Sequence, residues 1–482
     1  MKKYISLLLV IALTSVSCSD YLEFKETDLI ATDELALKSV ANNEAAIIGA
    51  YAAVSNLMTV SLNSVFSDEV KTAGEFYNAA TVHEWQYSPT DVTIRDTYTA
   101  INPQYQVIDR ANRVLARIDL ADSTRTGDNT LRKKLRGEAL FLRAFAHFEL
   151  FRYYGTKYDP AKLAMPYMEI SSPDPQARIT TGEYFQKLNR DITEAKALIP
   201  NNLTDINRAN VAAANGLHAR IALYSEQWAE AETYATNYIN TPGLELSTLA
   251  NFSGIWTDAN TAEQAFRTVR TSSVARIGSI YRNTSGSATN IGTIIWTVSN
   301  KLYDSYDAAD VRRGSYFTTV ASLVTAVRPN AERPGLIINK YAGGTFGSPT
   351  ENIRNSKLMR TAEMLLIRAE ARAEQGNITG ANSAESDLNA LRANRITGYV
   401  PIVLANRDQA IDEILSERFK ELAFEGHRFW DLKRKGLPVT RLAADVPSTT
   451  ALTLPANDYR FALPIPLVEM NANRLMRQND GY

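Results

Sequence analysis

Three glutamates at helical spacing are the residues of this sequence best placed for acid–base chemistry. Glu417, Glu421 and Glu425 recur every four residues, so a helix would place their carboxylates on one face. Carboxylate pairs can act as general acid and base. The same segment also carries several basic residues and large aromatic residues, which favours a buried charge network that holds one helix against its neighbours. We therefore predict an architectural role for this segment and no catalytic residue.

Other signatures of catalysis or cofactor binding are missing from the sequence. The four histidines, His83, His147, His218 and His427, show no HExxH or paired-ligand spacing. No GxSxG, P-loop or GxGxxG pattern occurs, and a single cysteine cannot build a thiolate cluster. We predict neither a metal site nor a cofactor.

Aromatic residues beside polar ones suggest binding instead. A sugar ring has an apolar C–H face and a rim of hydroxyls, so a sugar site needs an exposed aromatic plane with Asn, Asp or Arg at its edge. Trp228, Trp256 and Trp430 are predicted to be core residues. Two other groups have the composition of a sugar site, and their members are the candidate ligand-binding residues: Asp68, Asn78, Trp85 and Tyr87 in the first, and Tyr281, Arg282, Asn283 and Trp296 in the second.

The elements that would position these residues are mainly helices. Apolar residues recur every three or four positions in residues 33–58, 101–115 and 139–154, which predicts amphipathic helices. Two stretches predict helix pairs of the tetratricopeptide kind, one over residues 209–238 and one over residues 358–391. Between them, from 244 to 356, Gly, Ser, Thr and Asn cluster, and residues 293–298 and 335–341 look like short strands. The predicted fold is mainly α, a scaffold of tetratricopeptide-like pairs with an irregular, loop-rich second half.

The only cysteine, Cys18, follows a segment typical of a secretory signal. Two lysines, an apolar run over residues 4–13 and small residues precede it. The run is shorter than the roughly 20 apolar residues that span a bilayer. The pattern resembles a bacterial lipobox, so we predict a cleaved signal peptide (1–17), lipidation of Cys18 and a lipidated tether (18–32). The alternative is a secreted protein whose cysteine lies there by chance.

The composition excludes two classes of protein. Lys and Arg number 52 against 53 Asp and Glu, and this balance lacks the basic excess that binding to a phosphate backbone needs, so we expect no nucleic-acid partner. A content of 45% apolar residues is ordinary for a globular protein and is neither that of a disordered chain nor that of a polytopic membrane protein.

Several segments together resemble the SusD/RagB family of outer-membrane nutrient-binding lipoproteins. The strongest is the run ERFKELAFEGHRFWDLKR, which begins at Glu417 and is similar to the C-terminal signature of the family. Further similar segments agree in order and spacing: residues 43–51, 136–155, 362–374, 388–392, 464–466 and 478–482.

This resemblance implies a fold, a location and a function. It implies a single SusD-like domain over residues 33–482, with an N-terminal helical part (33–243), a loop-rich ligand-facing insertion (244–356) and a C-terminal signature region (357–482). It also implies a lipid-anchored protein on the cell surface at the outer membrane, which captures oligosaccharides, or peptides in some members, for a SusC-like TonB-dependent transporter and does no chemistry. Two alternatives stay open from the residues alone: a secreted all-α glycoside hydrolase, and a helical-repeat adaptor that binds only proteins.

Overall fold

The computed structural model describes residues 33–73, 80–98, 101–323, 333 and 335–482. Cys18, the predicted tether and the predicted ligand residue Asn78 lie outside the described residues. Helices make up most of the regular structure, and the strands are short, so the predicted mainly α fold class is confirmed.

The α-helices are, in chain order, α1 (Asp33–Ala36), α2 (Val40–Ala53), α3 (Leu57–Phe66), α4 (Ala80–His83), α5 (Ile101–Arg117), α6 (Asp128–Tyr154), α7 (Thr181–Leu198), α8 (Val211–Tyr224), α9 (Trp228–Ile239), α10 (Phe252–Trp256), α11 (Asn300–Tyr303), α12 (Val311–Tyr316), α13 (Thr361–Glu374), α14 (Ala384–Ala393), α15 (Arg407–Glu421), α16 (Arg428–Lys435) and α17 (Leu467–Ala472). A π-helical segment, Ile94–Tyr98, precedes α5.

The first predicted helix is interrupted in the structure. Residues 33–58 were expected to form one amphipathic helix, but the chain leaves helical geometry at residues 37–39 and again at 54–56. Ser39 caps α2 by accepting a hydrogen bond from the backbone N–H of Asn42 at 3.2 Å. The second interruption separates α2, which keeps an exposed face, from α3, which is buried all round from Thr59 onward.

The two predicted helix pairs are confirmed as α8 with α9 and α13 with α14. Asn210 caps α8 through a hydrogen bond from the N–H of Ala213 at 2.9 Å, and Ser383 begins α14 with a reciprocal capping box. Gly216 lets α8 and α9 approach closely, because a Cβ there would lie 3.2 Å from the ring of Tyr238. Helix α13 packs against α9, α14 and α15, so it joins the two pairs.

The described residues form four antiparallel strand pairs, and two of these pairs tie the loop-rich half to this scaffold. β1 (Val70–Thr72) pairs with β3 (Trp296–Val298), which places residues near the N-terminus beside the middle of the chain. The other pairs are β2 (Gln264–Thr268) with β6 (Ser356–Arg360), β4 (Phe317–Thr319) with β5 (Leu336–Ile338), and β7 (Val439–Thr440) with β8 (Thr453–Leu454). The predicted strands at 293–298 and 335–341 therefore form as β3 and β5.

Two apolar clusters position the candidate site. The main core runs through the described chain from Val40 to Ile465 and includes most of the buried aromatic residues. A small separate cluster of Ala73, Ile294, Leu323 and Ile337 lies under the loops of the second half, with Phe346 packed against it. Those loops thus rest on a local core of their own.

Candidate functional site

The charged signature forms a buried network. Both carboxylate oxygens of Glu421 accept hydrogen bonds from guanidinium groups: from Arg395 at 3.0 and 3.2 Å, from Arg360 at 3.0 Å and from Arg312 at 3.1 Å. These side chains are at most 1% exposed. Burial opposes the ionisation of Glu421, but the three cations outweigh it and hold its pKa below its ordinary range. The predicted charge network is confirmed.

The neighbouring glutamates extend the same network. Glu417 binds Arg312 and Arg392, each at 2.6 Å. Glu425 accepts hydrogen bonds from Arg360 at 2.7 and 2.8 Å and from Lys340 at 2.9 Å. The network therefore connects α15 with α12, β6 and the segment after β5. Within the described residues, no three His, Cys, Asp or Glu side chains are grouped as a metal site requires.

The three tryptophans predicted to be core residues differ in burial. Trp430 is fully buried and Trp256 is 3% exposed, so both predictions are confirmed. Trp256 forms the wall of the charge network, with the ammonium of Lys340 3.8 Å from its ring centroid. Trp228, at the first position of α9, is only half-buried.

The first group of predicted ligand residues points inward. Asp68 is fully buried, and Arg428 donates to it at 2.8 and 2.9 Å while Lys301 donates at 2.7 Å. Burial opposes the charge of Asp68, but these two cations hold its pKa well below its usual range. Trp85 is 1% exposed, and its indole N–H donates to the carbonyl of Phe66 at 2.9 Å. Tyr87 is also buried.

Most of the second group is buried as well. The Tyr281 hydroxyl lies 3.0 Å from that of Ser64, and the Trp296 ring lies 5.4 Å from that of His83. Arg282 is paired with Glu351 inside the protein, and only Asn283 is exposed. The expectation of exposed aromatic planes is therefore wrong for Trp85, Tyr87, Tyr281 and Trp296, because tertiary packing covers their rings. The structure nevertheless brings the segments that carry the two groups together, because β1 pairs with β3 and Ser64 contacts Tyr281 across 217 residues.

A buried glutamate at this junction makes stability depend on pH. Burial raises the pKa of Glu69 to about 7, although the N–H of Phe424 and the hydroxyl of Ser64 donate hydrogen bonds to its carboxylate; the charges of Asp68 and Lys340 act in opposite directions. The folded state therefore binds a proton that the unfolded chain releases near pH 4.5. Stability from this group is complete below that pH and is lost as the pH rises toward 7.

We expect Glu69→Gln to remove this loss. Wild-type protein should lose about 1–3 kcal/mol of unfolding free energy relative to the variant between pH about 4.5 and about 7, since one pKa unit corresponds to about 1.4 kcal/mol. Denaturant unfolding at several pH values measures the difference. Parallel pH profiles for the two proteins would contradict the prediction.

Two loops above this junction form the exposed part of the site. We call residues 283–293 and 343–351 the loop platform. Glu351 is buried between the loops and accepts hydrogen bonds from the N–H and hydroxyl of Ser285 at 2.9 and 2.8 Å and from the N–H of Gly347 at 2.8 Å. It also binds the guanidinium of Arg282. Burial opposes its charge, but the bond from Arg282 and these donors lower the pKa of Glu351.

The loops touch at Gly347, which has a φ of +75° and lies so close to Ser287 that a Cβ would come within 2.6 Å of its Cα. Ser287 closes a turn by accepting from the N–H of Asn290 at 3.0 Å. The exposed residues of the platform with hydroxyl or amide side chains are Asn283, Thr284, Ser287, Thr289, Asn290, Thr293, Thr345 and Thr350, and the others are Gly286, Ala288, Gly347 and Pro349. The exposed surface is rich in hydroxyl and amide groups on a backbone that is fixed from below.

The loop platform carries an aromatic residue, Phe346, which was not among the predicted ligand residues. Its ring is half-buried, and the guanidinium of Arg282 lies 4.6 Å from its centroid. Because Arg282 is held by Glu351 and by Asn352 at 3.0 Å, the ring has a rigid support. The local sequence around Phe346 contains Gly, Thr, Ser and Pro and does not indicate this support, because Arg282 comes from a distant segment.

Two family models match the chain. The model described as "SusD family" matches residues 294–482, and the model described as "Starch-binding associating with outer membrane" matches residues 20–223. The chain belongs to the SusD family. The SusD-like protein P2 of Formosa agariphila is 28% identical in an alignment that covers 100% of both chains.

Solved structures share the fold of this SusD-family chain. A SusD superfamily protein from Bacteroides thetaiotaomicron has a TM-score of 0.79 at 22% identity, covering 92% of this chain and 99% of that one. A laminarin-binding SusD-like protein has a TM-score of 0.71 at 22% identity, covering 92% and 100%. The resemblance to the SusD/RagB family and the SusD-like fold are thus confirmed.

The loop platform lies partly outside the two family matches. Residues 283–293 fall in the interval between them, whereas residues 343–351 fall within the "SusD family" match. In this SusD-family chain, the family models therefore cover one of the two loops of the platform.

Proposed function

We propose that this SusD-family protein captures oligosaccharides at the outer membrane and delivers them to a TonB-dependent transporter. The observation that carries the proposal is the loop platform, a rigid surface of hydroxyl and amide groups around the supported ring of Phe346. Such a surface matches the apolar face and hydroxyl rim of a sugar. A solved structure with the same fold is that of a laminarin-binding protein, which supports a carbohydrate ligand.

The remaining parts of the proposal concern location and chemistry. A lipid anchor at Cys18 would hold the protein on the cell surface, where two or more acyl chains keep a protein bound to a membrane. Arginines enclose Glu421 in the interior, out of contact with a ligand, which supports capture without a chemical reaction. Incubation with oligosaccharides should therefore release no new reducing ends, which separates a binder from a glycoside hydrolase.

We expect Phe346→Ala to lower oligosaccharide affinity about tenfold, since truncating a central aromatic contact costs more than about 1 kcal/mol. Calorimetry with maltohexaose and laminarihexaose measures the effect. Phe346→Tyr keeps the ring and is the matched control, with affinity close to wild type. If the wild type and the Phe346→Ala protein bind these hexasaccharides with equal affinity, this ring has no role in capture.

A further inference from the structure

Three adjoining cavities lie on a different part of the surface, along the loop of residues 156–163. Their volumes are about 400, 340 and 300 Å³, within or near the range of small-ligand sites. The first and second share Tyr158 in their walls, and the second and third share Tyr459. Tyr234 lines the first cavity. We call this row of cavities with its three rings the tyrosine channel.

Each of the three rings is held by a second ring. Tyr234 stacks on His218 at a centroid distance of 3.8 Å, and Tyr158 meets Phe185 edge to face at 4.9 Å. Tyr459 meets Tyr482 edge to face at 5.0 Å. These rings have little freedom to lose when a ligand binds, which favours affinity.

The back of the channel is built by a residue that the sequence predicted for ligand binding. The ring of Tyr87 stacks on that of Tyr482 with a centroid distance of 6.4 Å. The Tyr87 hydroxyl donates a hydrogen bond to the carbonyl of Arg460 at 2.5 Å. Arg460 follows Tyr459 directly. Tyr87 is therefore buried behind the channel and supports it without lining it.

The hydroxyls of the three channel tyrosines make no hydrogen bond to any described residue. Tyr459 is 47% exposed, and Tyr158 and Tyr234 are half-buried. Buried tyrosines of the scaffold differ: Tyr184 donates to the carbonyl of His147 at 2.7 Å, and Tyr238 to that of Glu263 at 2.9 Å. The channel rings thus keep their polar ends available to a partner.

Amide groups beside the rings are also available. Gln186 and Asn189 line the first cavity, and Asn457 lines the second and third. In the described part of the chain, none of these three side chains has a hydrogen-bond partner. Each cavity therefore combines an aromatic face with an amide that no described protein group binds, the arrangement that recognises a sugar residue.

The charges at the rim set the charge of the ligand. Lys157 lies 3.5 Å from Glu226, and Lys162 lies 3.9 Å from Asp480, so lysines and carboxylates at the surface compensate one another. Such a rim offers no net charge to attract an ionic ligand. A neutral ligand fits it better.

We propose that the tyrosine channel is a second binding site, which takes a neutral oligosaccharide chain lengthwise across Tyr234, Tyr158 and Tyr459. Its cavities share no lining residue with the loop platform in the described chain. The site can therefore exist whether or not the platform binds sugar. Two sites on one protein would hold a long chain by avidity, with an apparent affinity above that of either site.

The test uses the full-length mature protein in detergent and a panel of neutral hexasaccharides: maltohexaose, laminarihexaose, cellohexaose and xylohexaose. Calorimetry compares Phe346→Ala with the same protein carrying Tyr158→Ala, Tyr234→Ala and Tyr459→Ala. At least one hexasaccharide should bind the Phe346→Ala protein, and the three alanines should lower that affinity about tenfold or more. Replacing the three tyrosines by phenylalanine keeps the rings and should cost less than about threefold.

Each result decides between the two sites. No binding of any hexasaccharide to the Phe346→Ala protein, or binding that the three alanines leave unchanged, would overturn the channel. If the three alanine substitutions lower the affinity for a hexa-alanine peptide and not the affinity for the sugars, the channel is a peptide site, and the proposal is also overturned. If Phe346→Ala has no effect but the tyrosine substitutions do, the platform is wrong and the channel stands. Should the triple alanine variant unfold early, Tyr459→Ala alone, at the exposed ring, gives the same comparison.

Discussion

Replacing Glu421 by alanine is expected to lower the free energy of unfolding by about 3–5 kcal/mol. The carboxylate is the common acceptor for Arg312, Arg360 and Arg395, all buried. Without it, these three cations would lie close together in the interior with one fewer partner. Their mutual repulsion and unsatisfied donors cost more than the ion pairs themselves contribute.

Denaturant unfolding measures this loss, and the same helix provides a matched control. Glu413 precedes Glu421 by two helical turns and pairs with Arg392 at 2.7 Å, but it is 36% exposed. Glu413→Ala should cost less than about 1 kcal/mol, because water already reaches the Glu413 carboxylate and Arg392 keeps its ion pair with Glu417 at 2.6 Å. Similar losses in the two variants would show that burial does not govern the network.

The charge state of Glu421 also gives the network a pH dependence. Because the surrounding arginines hold its folded pKa below its ordinary range, its contribution is complete above the unfolded pKa and is lost as the pH falls through the folded one. This acid-side loss is opposite in direction to the effect of Glu69.

Replacing Glu351 by alanine is expected to cost about 3 kcal/mol and to weaken oligosaccharide capture at the same time. Glu351 accepts hydrogen bonds from both loops of the platform, through the backbone N–H groups of Ser285 and Gly347. It is also the partner of Arg282, which supports Phe346. Its loss would leave the guanidinium buried without its carboxylate and would separate the two loops.

Thermal unfolding and calorimetry together test this second prediction. Asp304→Ala is the matched control, since Asp304 pairs with Arg333 in the same half of the chain but is 58% exposed. The control should change stability by less than about 1 kcal/mol and leave sugar affinity unchanged. If the Glu351→Ala protein binds oligosaccharides with wild-type affinity, the platform does not need this ion pair. Capture would then not depend on how the two loops are held together.

The interior of the protein could be predicted in part from local pattern. Apolar residues at helical spacing and the turns between them correctly placed α8, α9, α13 and α14, because both signals lie within the segment itself. The spacing of Glu417, Glu421 and Glu425 likewise put three carboxylates on one face. The partners of Glu421 were not predictable, since Arg312, Arg360 and Arg395 come from three other segments.

The candidate binding residues show the limit of composition. Trp85 and Trp296 have neighbours that suit a sugar site, but a side chain becomes a binding surface only if no other element covers it. Trp85 is held with a φ of +55° and packs under Arg441, and Trp296 enters the β1–β3 pair. Neither contact has a local signal. Phe346 is the opposite case: its neighbours in the sequence do not have the composition of a sugar site, but in the structure its ring lies on the loop platform and is supported by Arg282.

The sequence by itself determined the helical scaffold, the charged helix and the family, since each depends on patterns that lie within single segments of the chain. The anchor at Cys18 is a prediction from the same kind of local pattern. Only the tertiary structure decided which rings reach the surface. Phe346 depends on the meeting of two loops, and the tyrosine channel joins Tyr158, Tyr234 and Tyr459 from three distant segments. Exposure is set by what packs on a side chain, and that neighbour is usually remote in sequence.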